Sequence, residues 1–163
     1  AFPSGVMTMP VEATEQVGPV IIWRKELRTG SGGAGQYRGG LGQYMDVGAE
    51  EGHEFYLQAM FDRLAHPARG RHGGMAGAPT LIAQDDGTAM RGKGKQFVAH
   101  GRVVQMGFPG GAGYGQPEKR SREAVRRDLA YGYITSEQAA ENYGLSEAEI
   151  AEILSLARSG ADF

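Results

Sequence analysis

The sequence contains no cysteine. Disulfides, thiolate-bound zinc and a cysteine nucleophile are therefore excluded, and the composition fits a reducing cytoplasm. Large apolar side chains are also scarce: Leu, Ile, Val and Phe make up 30 of 163 residues. That is below the roughly 20% that accompanies disorder when charge is high. Charge is low, however, with a net of −2 at pH 7. A folded domain with a thin core is expected, and a covering partner would supply what the core lacks. The low net charge gives no general reason to expect nucleic acid. No apolar run is long enough for a transmembrane helix, and no basic segment precedes an apolar one as in a signal peptide. A cytoplasmic protein with no membrane partner is expected. The first residue is Ala1 rather than Met, which suggests trimming, processing or a piece of something longer.

What is abundant is glycine, 27 residues of 163, against roughly 7% in average usage. Of these, 24 fall within residues 1–115, and all seven prolines lie at or before Pro117. Residues 116–163 instead carry eight Ala and seven Glu. This shift divides the chain into a β-rich, glycine-rich body over residues 1–117 and a helical tail over residues 118–163.

The tail reads as three short helices. Ser146 and Glu149 are spaced as a capping box, with Leu145 and Ile150 as its hydrophobic staple. Ile150, Ile153, Leu154 and Ala157 then form one apolar stripe, and Gly160 stops the helix. Thr135 and Gln138 open a second helix over residues 135–143, closed by Gly144. A third spans residues 121–130, with Val125 and Leu129 on one face. Such helices dock on a body or on a partner. In the body, residues 17–27, 43–47, 54–61, 80–84, 96–99 and 102–106 read as strands. Asp85-Asp86-Gly87 and His100-Gly101 read as the turns of two hairpins. The fold class expected is mainly β with α: a β-sandwich or barrel-like body, Gly-rich loops and a three-helix C-terminal tail.

Several motifs are incomplete. Gly30-Ser31-Gly32-Gly33-Ala34-Gly35 has the spacing of a dinucleotide fingerprint, but Gly39, Gly40 and Gly42 follow and preclude the required helix. The stretch reads better as an ordered, turned loop with a glycine at positive φ, or as one that lets another backbone approach closely. Gly87, Gly92 and Lys93 approach a phosphate loop, but Gly94 stands where the hydroxyl residue belongs. Between residues 63 and 102, Arg63, Arg69, Arg71, Arg91, Lys93, Lys95 and Arg102 outnumber Asp85 and Asp86. That stretch is a solvated face or one turned toward an anion or an acidic partner. His53, His66, His72 and His100 show no metal-ligand spacing, and no metal site is expected. Glu12 and Glu15 lie near Pro10 in what reads as partly extended chain, which would hold their carboxylates apart. No activated nucleophile with a base is recognisable.

Four stretches together resemble the C-terminal part of the hydantoinase B/oxoprolinase family. They are Thr8-Met9-Pro10-Val11-Glu12-Ala13-Thr14-Glu15, the long run from Glu26-Leu27-Arg28-Thr29-Gly30 to Gln36-Tyr37-Arg38-Gly39-Gly40-Leu41-Gly42, Gly73-Gly74-Met75-Ala76-Gly77-Ala78-Pro79, and Pro109-Gly110-Gly111-Ala112-Gly113-Tyr114-Gly115-Gln116-Pro117. Two departures stand out: Met9 where the family usually has Thr, and Gln116 where it usually has Asp. The resemblance implies a B-type polypeptide that works with an A-type, ATP-binding subunit and opens cyclic amides such as hydantoins or 5-oxoproline. Related members carboxylate ketones. ATP and a divalent metal are implied for the full complex, with the metal ligands upstream in the B-type chain, so none is carried onto this sequence. The partners implied are the hydantoinase A-type subunit and the upstream B-type region, in a hetero-oligomer. Asp62-Arg63 matches a family Asp-Arg pair. Arg63 is the leading candidate for a substrate or interface contact, with Asp62 beside it, and Glu12 of the Pro-Val-Glu motif is a further candidate. The guanidinium of Arg63 suits a carboxylate or phosphate, or simply ties loops together. A non-catalytic assembly module is the rival reading.

Overall fold

The computed structural model describes residues 8–160. Six strands form two antiparallel sheets. The first has the order β1-β2-β6-β4, built from β1 (Val20–Arg28), β2 (Gly42–Ala49), β6 (Val104–Gly107) and β4 (Leu81–Gln84). The second pairs β3 (Phe55–Met60) with β5 (Lys93–Val98). One apolar cluster joins both sheets: Met45, Val47, Ile82, Val104 and Met106 from the first meet Phe55, Leu57 and Val98 from the second. The body is thus an open, two-sheet sandwich, and the barrel alternative is corrected.

Of the two expected hairpins, the one at Gly87 forms only as a short stub, and the one at Gly101 does not form. Gly87 does close a tight turn, with its N–H donating to the carbonyl of Gln84 at 2.9 Å. Beyond it the chain touches β4 again only through the isolated bridge Ala83–Ala89, and β5 pairs with β3 instead. Likewise the turn at Gly101 links β5 of one sheet to β6 of the other. Local turn chemistry was legible, but burial of Val98 and Val104 against the shared core sends consecutive strands to different sheets.

Residues 11–15 also differ from expectation. They form the short helix α1 (Val11–Glu15) after Pro10 at its N-cap. Glu15 accepts the Ile22 amide at 2.8 Å, which ties this turn to β1.

In the tail, a 3₁₀ turn Pro117–Lys119 leads into α2 (Arg122–Ala130), α3 (Ser136–Glu141) and α4 (Glu147–Arg158). Both capping boxes form, at Thr135/Gln138 and at Ser146/Glu149. Val125, Leu129, Ile134, Leu145, Ile150 and Ile153 make a second apolar cluster, which includes Ala34 of the body. The stripe on α4 is therefore buried against protein, and it docks the tail on the glycine-rich loop. No helix among the described residues is long and apolar enough to cross a membrane.

Candidate functional site

Three glycine-rich stretches, residues 30–42, 70–79 and 109–116, meet at one junction. Their backbones bond in every pairing. Gly33 donates to the Gly111 carbonyl at 2.9 Å, Met75 to Ala34 at 2.7 Å, and Gly113 to Met75 at 2.9 Å. Tyr37 and Tyr114 exchange reciprocal bonds of 2.9 and 3.0 Å. The chains lie so close that side chains have no room. A Cβ on Gly39 would sit 2.0 Å from the Gly111 oxygen, and one on Gly113 would sit 1.9 Å from the Ala34 oxygen. Glycines at 74 and 77, and at 107, 110 and 113, recur every third residue. That spacing matches the three-residue turn of an extended polyproline-type helix and puts the bare positions on one edge. Within residues 30–42 the loop is turned as expected, with Gly30 at φ 70°. Most of its other glycines serve close approach instead.

Charged side chains lock this junction to its surroundings. Arg28 is buried at the end of β1 and donates to the carbonyls of Pro79 at 2.7 Å and Phe108 at 3.3 Å. Asp128 of α2 is only 3% exposed. Its Oδ2 accepts from Arg38 Nε at 2.9 Å and from Arg120 Nη2 at 2.6 Å. Arg38 also donates to the Gly39 carbonyl at 2.7 Å, and Arg120 to that of Gln36 at 3.1 Å. Asp128 is thus a buried charge that is paired and hydrogen-bonded twice over, while Arg120 Nε is buried without a hydrogen-bond partner. The Tyr143 hydroxyl accepts the Gly35 amide at 3.4 Å, and burial pushes its phenol up.

On its outer side the junction presents aromatic rings. Tyr37 is 64% exposed and Tyr114 50% exposed, with ring centroids 6.2 Å apart. The His72 ring lies 4.9 Å from that of Tyr114. Arg71 to Gly74 form a β-turn, closed by the Gly74 amide on the Arg71 carbonyl at 2.9 Å. His72 at φ 53° and Gly73 at φ 90° make it a type I′ turn. Tyr37 also borders a cleft of about 360 Å³ whose lining includes Lys119, Arg120, Ser121 and Arg127.

The residues singled out from sequence lie elsewhere. Asp62 and Arg63 follow β3 on the surface. A hydrogen bond from Lys93 holds the Asp62 carboxyl below its usual range. The Arg63 carbonyl accepts the Thr80 amide at 2.9 Å, and its guanidinium makes no ion pair among the described residues. Glu12 is exposed on α1. No hydrogen bond or ion pair among the described residues joins it to Asp62 or Arg63, so the three do not form one constellation. In the basic stretch, Asp85 and Asp86 are both engaged by Arg102, at 3.8 and 3.3 Å.

Gly87 to Lys93 runs from a tight turn into β5, not into a helix, so it forms no phosphate cradle. Among the described residues no group of three or more His, Asp or Glu could hold a metal ion. The His100 Nδ1 instead accepts the Gly52 amide at 3.2 Å. The donor set for the divalent metal that the resemblance implies is not supplied by these residues, and no step is drawn through it.

Arg28, Arg38, Arg120 and Asp128 were not singled out from sequence. Arginines embedded in a glycine run were a usable signal, because such a run has little else to hold it. Asp128 carries none, since an acid on a polar helix is ordinarily solvated.

An open two-sheet sandwich, closed by a glycine junction and a helical tail, defines the architecture. The family model for hydantoinase B/oxoprolinase matches residues 1–117, and the chain belongs to that family. It is 30% identical over 149 residues to the B-type subunit of a putative D-/L-hydantoinase of Pseudomonas sp., covering 88% of this chain and 25% of that protein. Among solved structures it is similar to the ATP-dependent caprolactamase of Pseudomonas jessenii, with a TM-score of 0.73, 26% identity and coverage of 91% of this chain and 28% of that one. It shares the fold of a nucleotide-free acetone carboxylase, with a TM-score of 0.71 at 19% identity, covering 94% of this chain and 27% of that one. The chain spans about a quarter of the length of curated relatives such as these.

Proposed function

We propose that this chain is the C-terminal portion of a hydantoinase B/oxoprolinase-type subunit in an ATP-dependent enzyme that opens cyclic amides in the cytoplasm. Family membership over residues 1–117 carries this reading, and the relatives named as a hydantoinase and a caprolactamase point to the same reaction class. In that reaction the ring C–N bond breaks, water supplies oxygen to the acyl carbon and a proton to the nitrogen, and the nitrogen is left as an amine from a lactam or as a urea nitrogen from a hydantoin. ATP hydrolysis on the partner subunit drives the opening of a stable amide. Residues 1–117 complete the B-type fold, and residues 118–163 brace its glycine junction. Arg63 is the first candidate for contact with a substrate carboxylate or with the partner, with Asp62 and Glu12 as secondary candidates.

Ketone carboxylation is the second reading, supported by the fold shared with acetone carboxylase. At 19% identity that likeness extends to the fold alone. The deciding assay is substrate-dependent ATP hydrolysis by the full complex, offered a hydantoin, 5-oxoproline, a lactam, or acetone with bicarbonate. Turnover with a cyclic amide is expected. Turnover only with acetone and bicarbonate would replace this reading with the second. Residues 1–163 alone are expected to show none, and catalysis by them that vanished on Arg63→Ala would place the chemistry within this chain.

A further inference from the structure

The inner face of the first sheet is covered only in part. Four strands face two, and the core that joins the sheets takes residues from β2, β4 and β6 but none from β1. Arg24 and Arg28 both lie over the Tyr44 ring, 4.0 and 5.6 Å from its centroid. Side chains alternate along a strand. Lys25 and Leu27 therefore fall on the opposite face, where Lys25 stands across from Met45 of the core. Leu27 is 57% exposed there. It borders a groove of about 460 Å³ whose lining includes Thr8, Leu41, Gln43, Phe108 and Pro109. No charged side chain of the described residues lines this groove, so an anionic substrate or a nucleotide finds no counter-charge in it.

The path of the chain, rather than the exposure of the groove, selects its occupant. Glu15 accepts the Ile22 amide at 2.8 Å. Lys25 donates to the Met9 carbonyl, and Thr8 shares the groove with Leu27. Positions 15, 9 and 8 thus meet positions 22, 25 and 27 of β1 in turn. Traced backwards from α1, the chain advances along β1 and enters the groove at Thr8. Consecutive Cα atoms are held about 3.8 Å apart, so the residue before Thr8 begins at the groove. The two residues that precede it, Val6 and Met7, are both apolar. A partner subunit or a second copy would have to share the groove with them.

We infer that the segment of this chain ahead of Thr8 occupies the groove, with Val6 and Met7 against Leu27, Leu41 and Phe108, and completes the cover of the first sheet. Removal of these apolar side chains from water drives the seating. The contact is made within one polypeptide and holds whichever reaction the full enzyme performs.

The test uses the full polypeptide carrying this sequence, with and without its ATP-binding subunit. Gln43→Cys places a thiol in the groove. Gly40→Cys, at a position with open space around it, places one in the neighbouring hollow. Each is alkylated with iodoacetamide, and the rate is read from the mass of the peptide that carries it. The measurement is made with the natural segment and with Val6→Asp/Met7→Asp. Gln43→Cys should react slowly beside the natural segment, with or without the second subunit, and at least tenfold faster beside the aspartates. Gly40→Cys should react at the same rate in both. Equally fast labelling of Gln43→Cys beside the natural segment would overturn the inference, because the groove would be open. So would protection that survives the aspartates, which would assign the groove to another part of the polypeptide. Protection that appears only with the second subunit or at high protein concentration would assign it to that subunit or to a second copy, and overturn the inference too. Val104 is fully buried, so protection of Val104→Cys checks that the aspartate variant folds. A reading without the aspartates pairs Val6→Cys or Met7→Cys with Leu41→Cys or Gln43→Cys. At least one of these four pairs should form a disulfide on mild oxidation, and failure of all four would overturn the inference.

Discussion

The carbonyl oxygen of Ser31 lies where a side chain on Gly110 would begin: a Cβ there would come within 1.7 Å of it. Gly39 and the Gly111 oxygen stand in the same relation at 2.0 Å. In both cases the obstruction is backbone, which no rotamer change relieves. Gly39→Val should therefore cost more than about 3 kcal/mol, the upper part of the range for overpacking. Gly40 has open space around it, so Gly40→Ala is the matched control and should change stability by less than about 0.5 kcal/mol. Urea unfolding of both variants checks this. Equal stability would show that the junction yields.

Ile153 is fully buried in the tail cluster. Ile153→Asp would place an unpaired charge there and should cost several kcal/mol, about 3–5 by analogy with other buried, uncompensated charges. An unaltered melting temperature would mean that α4 does not depend on this packing.

Asp128 serves two arginines at once, so its loss strands both. Asp128→Ala should destabilise the protein by roughly 3–5 kcal/mol. Replacing Arg38 or Arg120 singly should cost less, because the acid keeps one partner. Chemical denaturation of the three single variants gives the ranking. A milder effect for Asp128→Ala than for either arginine would contradict the arrangement described.

Glu149 predicts a pH dependence. The Ser146 amide and hydroxyl donate to it at 2.9 and 2.8 Å, and Arg122 reaches both its oxygens at 2.9 and 3.0 Å. Chiefly through Ser146, its pKa falls from 4.5 to about 2. A carboxylate depressed in the folded state adds stability above its unfolded pKa and loses it as pH falls through the folded one. The melting temperature should thus decline between about pH 4.5 and pH 2, and Glu149→Gln should decline less steeply. Parallel curves for the two proteins would assign the acid sensitivity to other groups.

The tail helices were legible because their signals are local. Ser146 with Glu149, and Thr135 with Gln138, act within one turn of chain, so the capping boxes form as the spacing predicts. Strand positions were legible for the same reason: β-branched and aromatic runs between glycine and proline turns mark them, to within a few residues. The family was legible too, since long glycine-containing runs such as residues 26–42 are distinctive as strings.

Pairing was not legible. Whether β5 continues back along β4 or joins β3 depends on which apolar faces share a core, and that is settled among residues far apart in sequence. The helix at Val11–Glu15 depended likewise on Glu15 finding the amide of Ile22 in the first strand.

The sequence by itself determined where the three tail helices lie, which stretches are glycine-bare, and which family the chain resembles, because each follows from neighbours along the chain. Only the tertiary structure decided that those bare stretches face one another, that Asp128 lies between Arg38 and Arg120, and that Tyr37, His72 and Tyr114 stand as one group. The physical reason is that a glycine's missing side chain permits close approach without naming the partner. The partner is selected by hydrogen bonds and burial between segments some 35 to 80 residues apart.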